Sequence, residues 1–171
     1  MRPEADPASI YVEYEIESEI KFPERKIETM NVNIYLNFPG NCQDAMNFYE
    51  KHLGAKVVAK STFADMSKFG VPQNLPPGLA PDGILHARFT LGDTVVMASD
   101  GPKVEPMRSA YVTLSVDSNE EAERVYAALS EGGEVFMKLD ETFFAHRFAQ
   151  FRDKFGVNWM LIHEKPMPRP N

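Results

Sequence analysis

Residues 31–54 read NVNIYLNFPGNCQDAMNFYEKHLG, and two periodicities meet inside them. From Asn31 to Phe38 the residues alternate, with Val32, Ile34, Leu36 and Phe38 on one side and Asn33, Tyr35 and Asn37 on the other. A period of two is the mark of a half-buried β-strand. From Cys42 the spacing changes to three and four, through Ala45, Met46, Tyr49 and Leu53, which predicts a helix over 42–53. Asn41 is the expected N-cap and Gly54 the expected C-terminal stop.

The same order returns in residues 110–133, which read AYVTLSVDSNEEAERVYAALSEGG. Val112, Leu114 and Val116 alternate with Tyr111, Thr113 and Ser115. Ser118 and Glu121 then form a capping-box signature before a helix striped with Ala122, Val125, Tyr126 and Leu129. Asp44-Ala45 and Tyr49 recur as Glu121-Ala122 and Tyr126. Strands are expected after each helix, at 55–61, 84–91 and 94–99 in the first copy. In the second they fall at 134–139, 143–152 and 157–163, with a turn at Gly92-Asp93 joining the first copy's last pair. The predicted fold class is α+β, two tandem βαβββ units whose mixed sheet, flanked by helices, forms a cleft. Unit one spans 31–101 and unit two 108–163, with a Pro-rich mobile tail at 164–171. The loop at 66–83, with four prolines, is open to two readings: a lid or a braced surface excursion.

The whole chain has 171 residues and a net charge of −7, and residues 1–30 carry more than half of that charge. There Val12, Tyr14, Ile16, Ser18, Ile20 and Phe22 alternate with Glu13, Glu15, Glu17, Glu19 and Lys21. This segment reads as an amphipathic β-strand arm, packed in cis or on a partner chain, or else as an acidic tail. The acidic balance argues against nucleic acid or an anionic membrane as partner. A single cysteine forms no internal disulfide and no Cys-based zinc site. With no long apolar run and no signal-peptide pattern, a cytoplasmic location is expected.

The tandem units, with Tyr35-Leu36-Asn37-Phe38-Pro39-Gly40-Asn41-Cys42, Phe48-Tyr49 and Gly54, resemble the vicinal-oxygen-chelate superfamily of glyoxalases, bleomycin-resistance proteins and dioxygenases. His86-Ala87-Arg88, Gly92-Asp93, Thr142-Phe143-Phe144 and the run Asp153-Lys154-Phe155-Gly156-Val157-Asn158-Trp159-Met160 resemble its PhnB-like branch. A homodimer is expected, which the 1–30 arm could join, and for the superfamily's metalloenzymes the resemblance implies a divalent ion held from the first and fourth strands of each unit. Those places fall here on Asn33, Met97, Tyr111 and Met160. Amide, thioether and phenol are poor ligands for such an ion, so no metal and no cofactor are expected. Some members of the branch carry the name of a demethylubiquinone methyltransferase. The ten glycines never form a G-x-G turn to cradle a nucleotide-like cofactor, so methyl transfer is not expected.

Alternation then nominates the ligand-binding residues. With Val32, Ile34, Leu36 and Phe38 against the helix, Asn33, Tyr35 and Asn37 face the cleft. With Leu85, Ala87, Phe89 and Leu91 against the helix, His86, Arg88 and Thr90 do so too. Tyr111, Thr113 and Ser115 join them from unit two, with Met97, Asn158 and Met160 nearby and Arg147 matched to Arg88 by position. Arginine forks suit an anionic or oxygen-rich small ligand. His86 is either an acid or base or a sheet histidine, and Arg88 either a ligand clamp or an ion-pair partner of Asp93 or Asp100. Cys42 is either activated by the helix dipole or a small buried residue. The expected function is a small-molecule binder. The alternative is a lyase or isomerase acting on a small oxygenated substrate through His86.

Overall fold

The computed structural model describes residues 32–70 and 75–166. The N-terminal arm and the last tail residues lie outside them. Unit one contains β1 (Ile34–Phe38), α1 (Cys42–Leu53), β2 (Lys56–Thr62), β3 (Ile84–Leu91) and β4 (Thr94–Asp100). Unit two repeats the order with β5 (Val112–Ser115), α2 (Asn119–Ser130), β6 (Glu134–Asp140), β7 (Ala145–Arg152) and β8 (Asn158–Glu164). Each forms a four-stranded mixed sheet, in the order β1-β4-β3-β2 and β5-β8-β7-β6. In each, the first and fourth strands run parallel and the remaining pairs antiparallel. The fold is α+β, as the sequence periods predict.

The helix ends follow local chemistry. Gly54 adopts φ 68°, a left-handed conformation open to glycine at little cost, and its N–H closes α1 on the Glu50 carbonyl. Ser118 caps α2 by accepting the Glu121 N–H at 3.1 Å. Asn41, the expected cap of α1, makes no side-chain cap bond. Asp100, at the far end of β4, takes over by accepting from the Cys42 N–H at 2.9 Å and the Ile84 N–H at 2.7 Å. At Gly133 a Cβ would stand 2.0 Å from the Arg152 carbonyl oxygen, so only glycine lets β6 start beside β7.

One buried cluster unites the helix sides of both sheets. Leu36, Phe38 and Phe89 come from unit one, Phe151, Trp159 and Leu161 from unit two, with Tyr49 of α1 and Leu129 of α2 between them. Removing each such side chain from water contributes roughly 1.5–3 kcal/mol. The units are also tied by polar bonds. Asp153, in the β7–β8 turn, accepts from the Tyr49 hydroxyl at 2.7 Å and from the Trp159 indole N–H at 2.8 Å. Arg124 of α2 donates to the His52 carbonyl of α1.

Two expectations about facing and form are corrected. In β3 a bulge puts Thr62 opposite Ile84 but Ser61 opposite His86, so Ile84 rather than Leu85 enters the core. The segment expected as a loop from Met66 begins inside a short 3-10 helix, Phe63–Phe69, opened by a reciprocal Thr62–Asp65 capping box. Its return, 79–83, lies with Asn41, Gln43 and Asp44 at the start of α1, on the helix side of the sheet. The C-terminal boundary also shifts: β8 runs to Glu164, and the Lys165 N–H donates to the Phe144 carbonyl.

Candidate functional site

The sheet faces turned away from the shared core are the open ones. In unit one the register sets Tyr35 beside Met97, Met97 beside Arg88, and Arg88 beside Ala59. The next row holds Asn37 beside Ser99, with His86 and Ser61 paired on β3 and β2. Tyr35 and His86 meet across β4, the phenol oxygen lying 3.3 Å from His86 Nδ1 and the rings 5.9 Å apart. Ser99 donates to the Asn37 side-chain oxygen at 3.0 Å. Arg88 is exposed and has no hydrogen-bond or ion-pair partner among the described residues. The pairing with Asp100 considered from sequence is not made, because both Asp100 oxygens are held by backbone N–H groups. Asn33 is exposed just before β1.

Beside this face a cavity of about 240 Å³ runs along β1, lined by Tyr35, Asn37, Pro39, Met107, Phe155 and Val157 among others. Tyr35 and Asn37 belong to both the open face and the cavity, which Glu105 also lines.

In unit two the open face carries Thr113 beside Met160, Met160 beside Gln150, and Gln150 beside Met137. Ser115, Ile162 and Phe148 form the next row. Tyr111 touches the Phe136 ring edge-on at 6.4 Å. The expected match of Arg147 with Arg88 fails: Arg147 pairs with His163, turns to the helix side and binds Glu123 of α2 at 3.0 Å. Its register partner therefore faces away from the row that holds Thr113 and Gln150. Arg152 is the arginine on the open side, missed in the sequence because the aromatic run from Phe143 to Phe151 hides the alternation. It is fully engaged, with Glu134 at 2.8 Å, Asn158 at 3.0 Å and the Met107 carbonyl at 3.1 Å, over the Phe136 ring. Asn158, expected near the cleft, is buried and donates to the Met107 and Ala110 carbonyls, clamping the linker between units.

Electrostatics separates three buried groups from the site. The Cys42 thiol is pushed up to about 12, by burial first and by the Asp100 carboxylate second, the reverse of activation by a helix dipole. Burial raises Asp153 above the ordinary carboxylate value despite its hydrogen bonds, and raises the Tyr49 hydroxyl as well.

Residues 32–161 match the sequence model of the glyoxalase/bleomycin resistance protein/dioxygenase superfamily. The chain belongs to this superfamily. Within it the chain is 37% identical over 145 residues to protein YjdN of Escherichia coli K12, covering 81% of this chain and 99% of YjdN. The crystal structure of protein PA1353 from Pseudomonas aeruginosa superposes with a TM-score of 0.67 at 38% identity, covering 81% of this chain and 100% of that one. The PhnB protein of Bacillus cereus, which carries the name of a 3-demethylubiquinone-9 3-methyltransferase, gives 0.65 at 25%, over 78% and 99%. These relatives place the chain in the PhnB-like branch.

A metal of the kind the superfamily's metalloenzymes hold finds poor donors here. Along the first and fourth strands the open faces offer the Tyr35 phenol, the Thr113 hydroxyl and the thioethers of Met97 and Met160. Divalent ions of the usual kinds want imidazole, carboxylate or water instead. Among the described residues no three His, Cys, Asp or Glu side chains converge. Those described positions on the open faces offer no donor of that kind. No helix among the described residues is long and apolar enough to cross a membrane.

Proposed function

We propose that the chain is a metal-free, small-molecule-binding member of the PhnB-like branch that takes an anionic or oxygen-rich ligand on the Tyr35–His86–Arg88 face. The observation that carries this reading is an exposed arginine with no partner among the described residues, on the same sheet face as a tyrosine–histidine pair whose tyrosine also lines a cavity. A guanidinium left unpaired at such a place suits a carboxylate, phosphate or phosphonate. Asn33, Asn37, Tyr111 and Thr113 are the polar groups proposed to complete the site, and Arg147 is not required by it. The protein works as a homodimer in this reading, since both open faces are turned from the shared core and Tyr35, Val95 and Met137 stay exposed in one chain. A reduced cytoplasmic setting suits the single buried thiol.

Calorimetric titration with methylphosphonate and acetate tests the reading. Arg88→Ala is expected to weaken binding roughly 10-fold or more, the usual worth of a charge-assisted hydrogen bond. Equal affinity in the variant overturns the site. A stoichiometric divalent ion in the purified protein overturns the metal-free part. The Tyr35–His86 contact favours a second reading, in which His86 serves as acid or base for a lyase or isomerase step. Turnover of a bound oxygenated ligand that is lost in His86→Gln, with binding retained, selects it.

A further inference from the structure

The register matches each position of β2 and β3 to one of β6 and β7. Phe89 opposes Val57 as Phe151 opposes Val135, so Lys56 and Thr90 correspond to Glu134 and Arg152, and Ala59 and Arg88 to Met137 and Gln150. In unit two this corner of the sheet is neutralised from within. Glu134 and Arg152 face each other and bind at 2.8 Å, and Gln150 carries no charge. In unit one the same corner is left charged. Lys56 faces Thr90, which cannot neutralise it. Both Lys56 and Arg88 are exposed, with no hydrogen-bond or ion-pair partner among the described residues. Two residues along the strand and one strand spacing across separate them, roughly 8 Å between Cα atoms.

No described acid balances the two. The residues that share their face, among them Tyr35, Asn37, His86, Met97 and Ser99, include no carboxylate. Asp93, in the turn after β3, forms no ion pair with either, and Glu105 at the cavity pairs with Arg108 at 3.3 Å. Lys60, on the same strand as Lys56, pairs with Ala87 on the helix side and donates to Gln43. In a chain of net charge −7 this face therefore gathers two uncompensated cations. A carboxylate gripped by the Arg88 fork uses both oxygens there, and its single charge leaves Lys56 unbalanced. We propose that the ligand is a dianion with two acidic groups on a short spacer, one held by Arg88 and the other by Lys56. This deepens the reading of the Tyr35–His86–Arg88 face as an anion site and rests on it. Both residues belong to one sheet of one chain. Lys56 escapes the sequence pattern because the register shift between Val57 and Ala59 breaks the alternation beside it.

The test follows NMR shifts of the full chain on titration with glutarate and with pentanoate, chains of equal length that differ by one carboxylate. Glutarate is expected to bind roughly 4-fold more tightly, the worth of one exposed charge pair. Lys56→Gln is expected to bring glutarate down to the affinity of pentanoate and to leave pentanoate as it was. Lys60→Gln removes the same charge from the other side of β2 and is expected to keep the preference, which separates a local contact from a general electrostatic pull. Arg88→Ala is expected to weaken both probes about 10-fold or more, with melting curves confirming that each variant folds. Equal affinities for the two probes in the wild type, both dependent on Arg88, overturn the dianion and leave the anion site standing. A glutarate preference that survives Lys56→Gln, or that falls equally in Lys60→Gln, overturns the role of Lys56. Glutarate binding that ignores Arg88→Ala overturns both readings.

Discussion

Asp153 is the residue whose replacement most directly tests how the two units are held together. Its carboxylate accepts four bonds: Tyr49 hydroxyl at 2.7 Å, Trp159 indole at 2.8 Å, and the N–H groups of Phe155 and Val157 at 2.9 and 3.0 Å. In Asp153→Asn one oxygen becomes an NH₂ group. The Tyr49 hydroxyl can turn and accept from it, but an indole or backbone N–H facing it is stranded. A stranded buried donor costs about 1–3 kcal/mol, and the remaining bonds lose their charge assistance. Burial already penalises the ionised form, so a neutral side chain recovers part of this. The net loss should be about 3 kcal/mol, or a melting shift near 10 °C for a chain of this size. Urea melts of both proteins read it, and a double-mutant cycle with Tyr49→Phe should return a coupling of about 1 kcal/mol or more. The pH dependence carries a sign. The folded-state value lies above the unfolded one, so the wild type is fully favoured below about 3.8 and loses that advantage as pH rises through the raised value. The deficit of Asp153→Asn should therefore be larger in acid than at neutrality. A loss under ~0.5 kcal/mol, or a deficit that grows with pH, refutes the reasoning.

Two further outcomes follow from groups outside the site. Native Cys42 should resist alkylation at pH 8 and react once the chain is unfolded. Because its folded value is raised from 9.0 to about 12, stability relative to Cys42→Ala should hold below pH 9 and fall above it, by about 1.4 kcal/mol at pH 10. An alkaline profile parallel to that of Cys42→Ala refutes this. Arg147→Ala should leave methylphosphonate affinity within about twofold and cost under ~1 kcal/mol, since its ion pair with Glu123 is half in water. A tenfold loss of affinity would return Arg147 to the site.

The elements were legible where a local period met a local stop. Helix 42–53 is fixed by its apolar stripe and Gly54, and the strands that follow each helix by alternation between Gly-rich turns. Facing was legible in β1 and β4, where alternation is clean, and failed at two points. The bulge at Leu85 shifts one residue without any residue type that marks it. In β7 the residues Phe148, Ala149 and Phe151 are buried on both faces, so hydrophobicity no longer distinguishes the two sides and Arg147 was assigned to the wrong one. The α1 cap was illegible for a different reason. Asp100 stands 58 residues from Cys42, and no local rule reaches across that distance. His86 and Arg88 could be nominated in sequence, but that Arg88 has no partner among the described residues is a property of the assembled sheet.

The duplication gives a reason to trust chemistry over position at the open faces. On the helix side both units fill one shared volume, so equivalent residues stay alike: Ala45 and Ala122 are both fully buried, as are Phe89 and Phe151. Close packing penalises any change there. The open side has no such constraint within one chain. If both open faces were merely solvated, polar residues would serve equally well in each unit. Instead His86 corresponds to Phe148 and Ser99 to Ile162, and the apolar member of each pair is buried in a small cluster of its own, apart from the main core. The open side of unit one is left with Tyr35, Asn37 and Arg88 exposed, while that of unit two has Phe148 and Ile162 buried, so the two faces present different chemistry. That division, rather than the fold, is what distinguishes the two open faces of this chain.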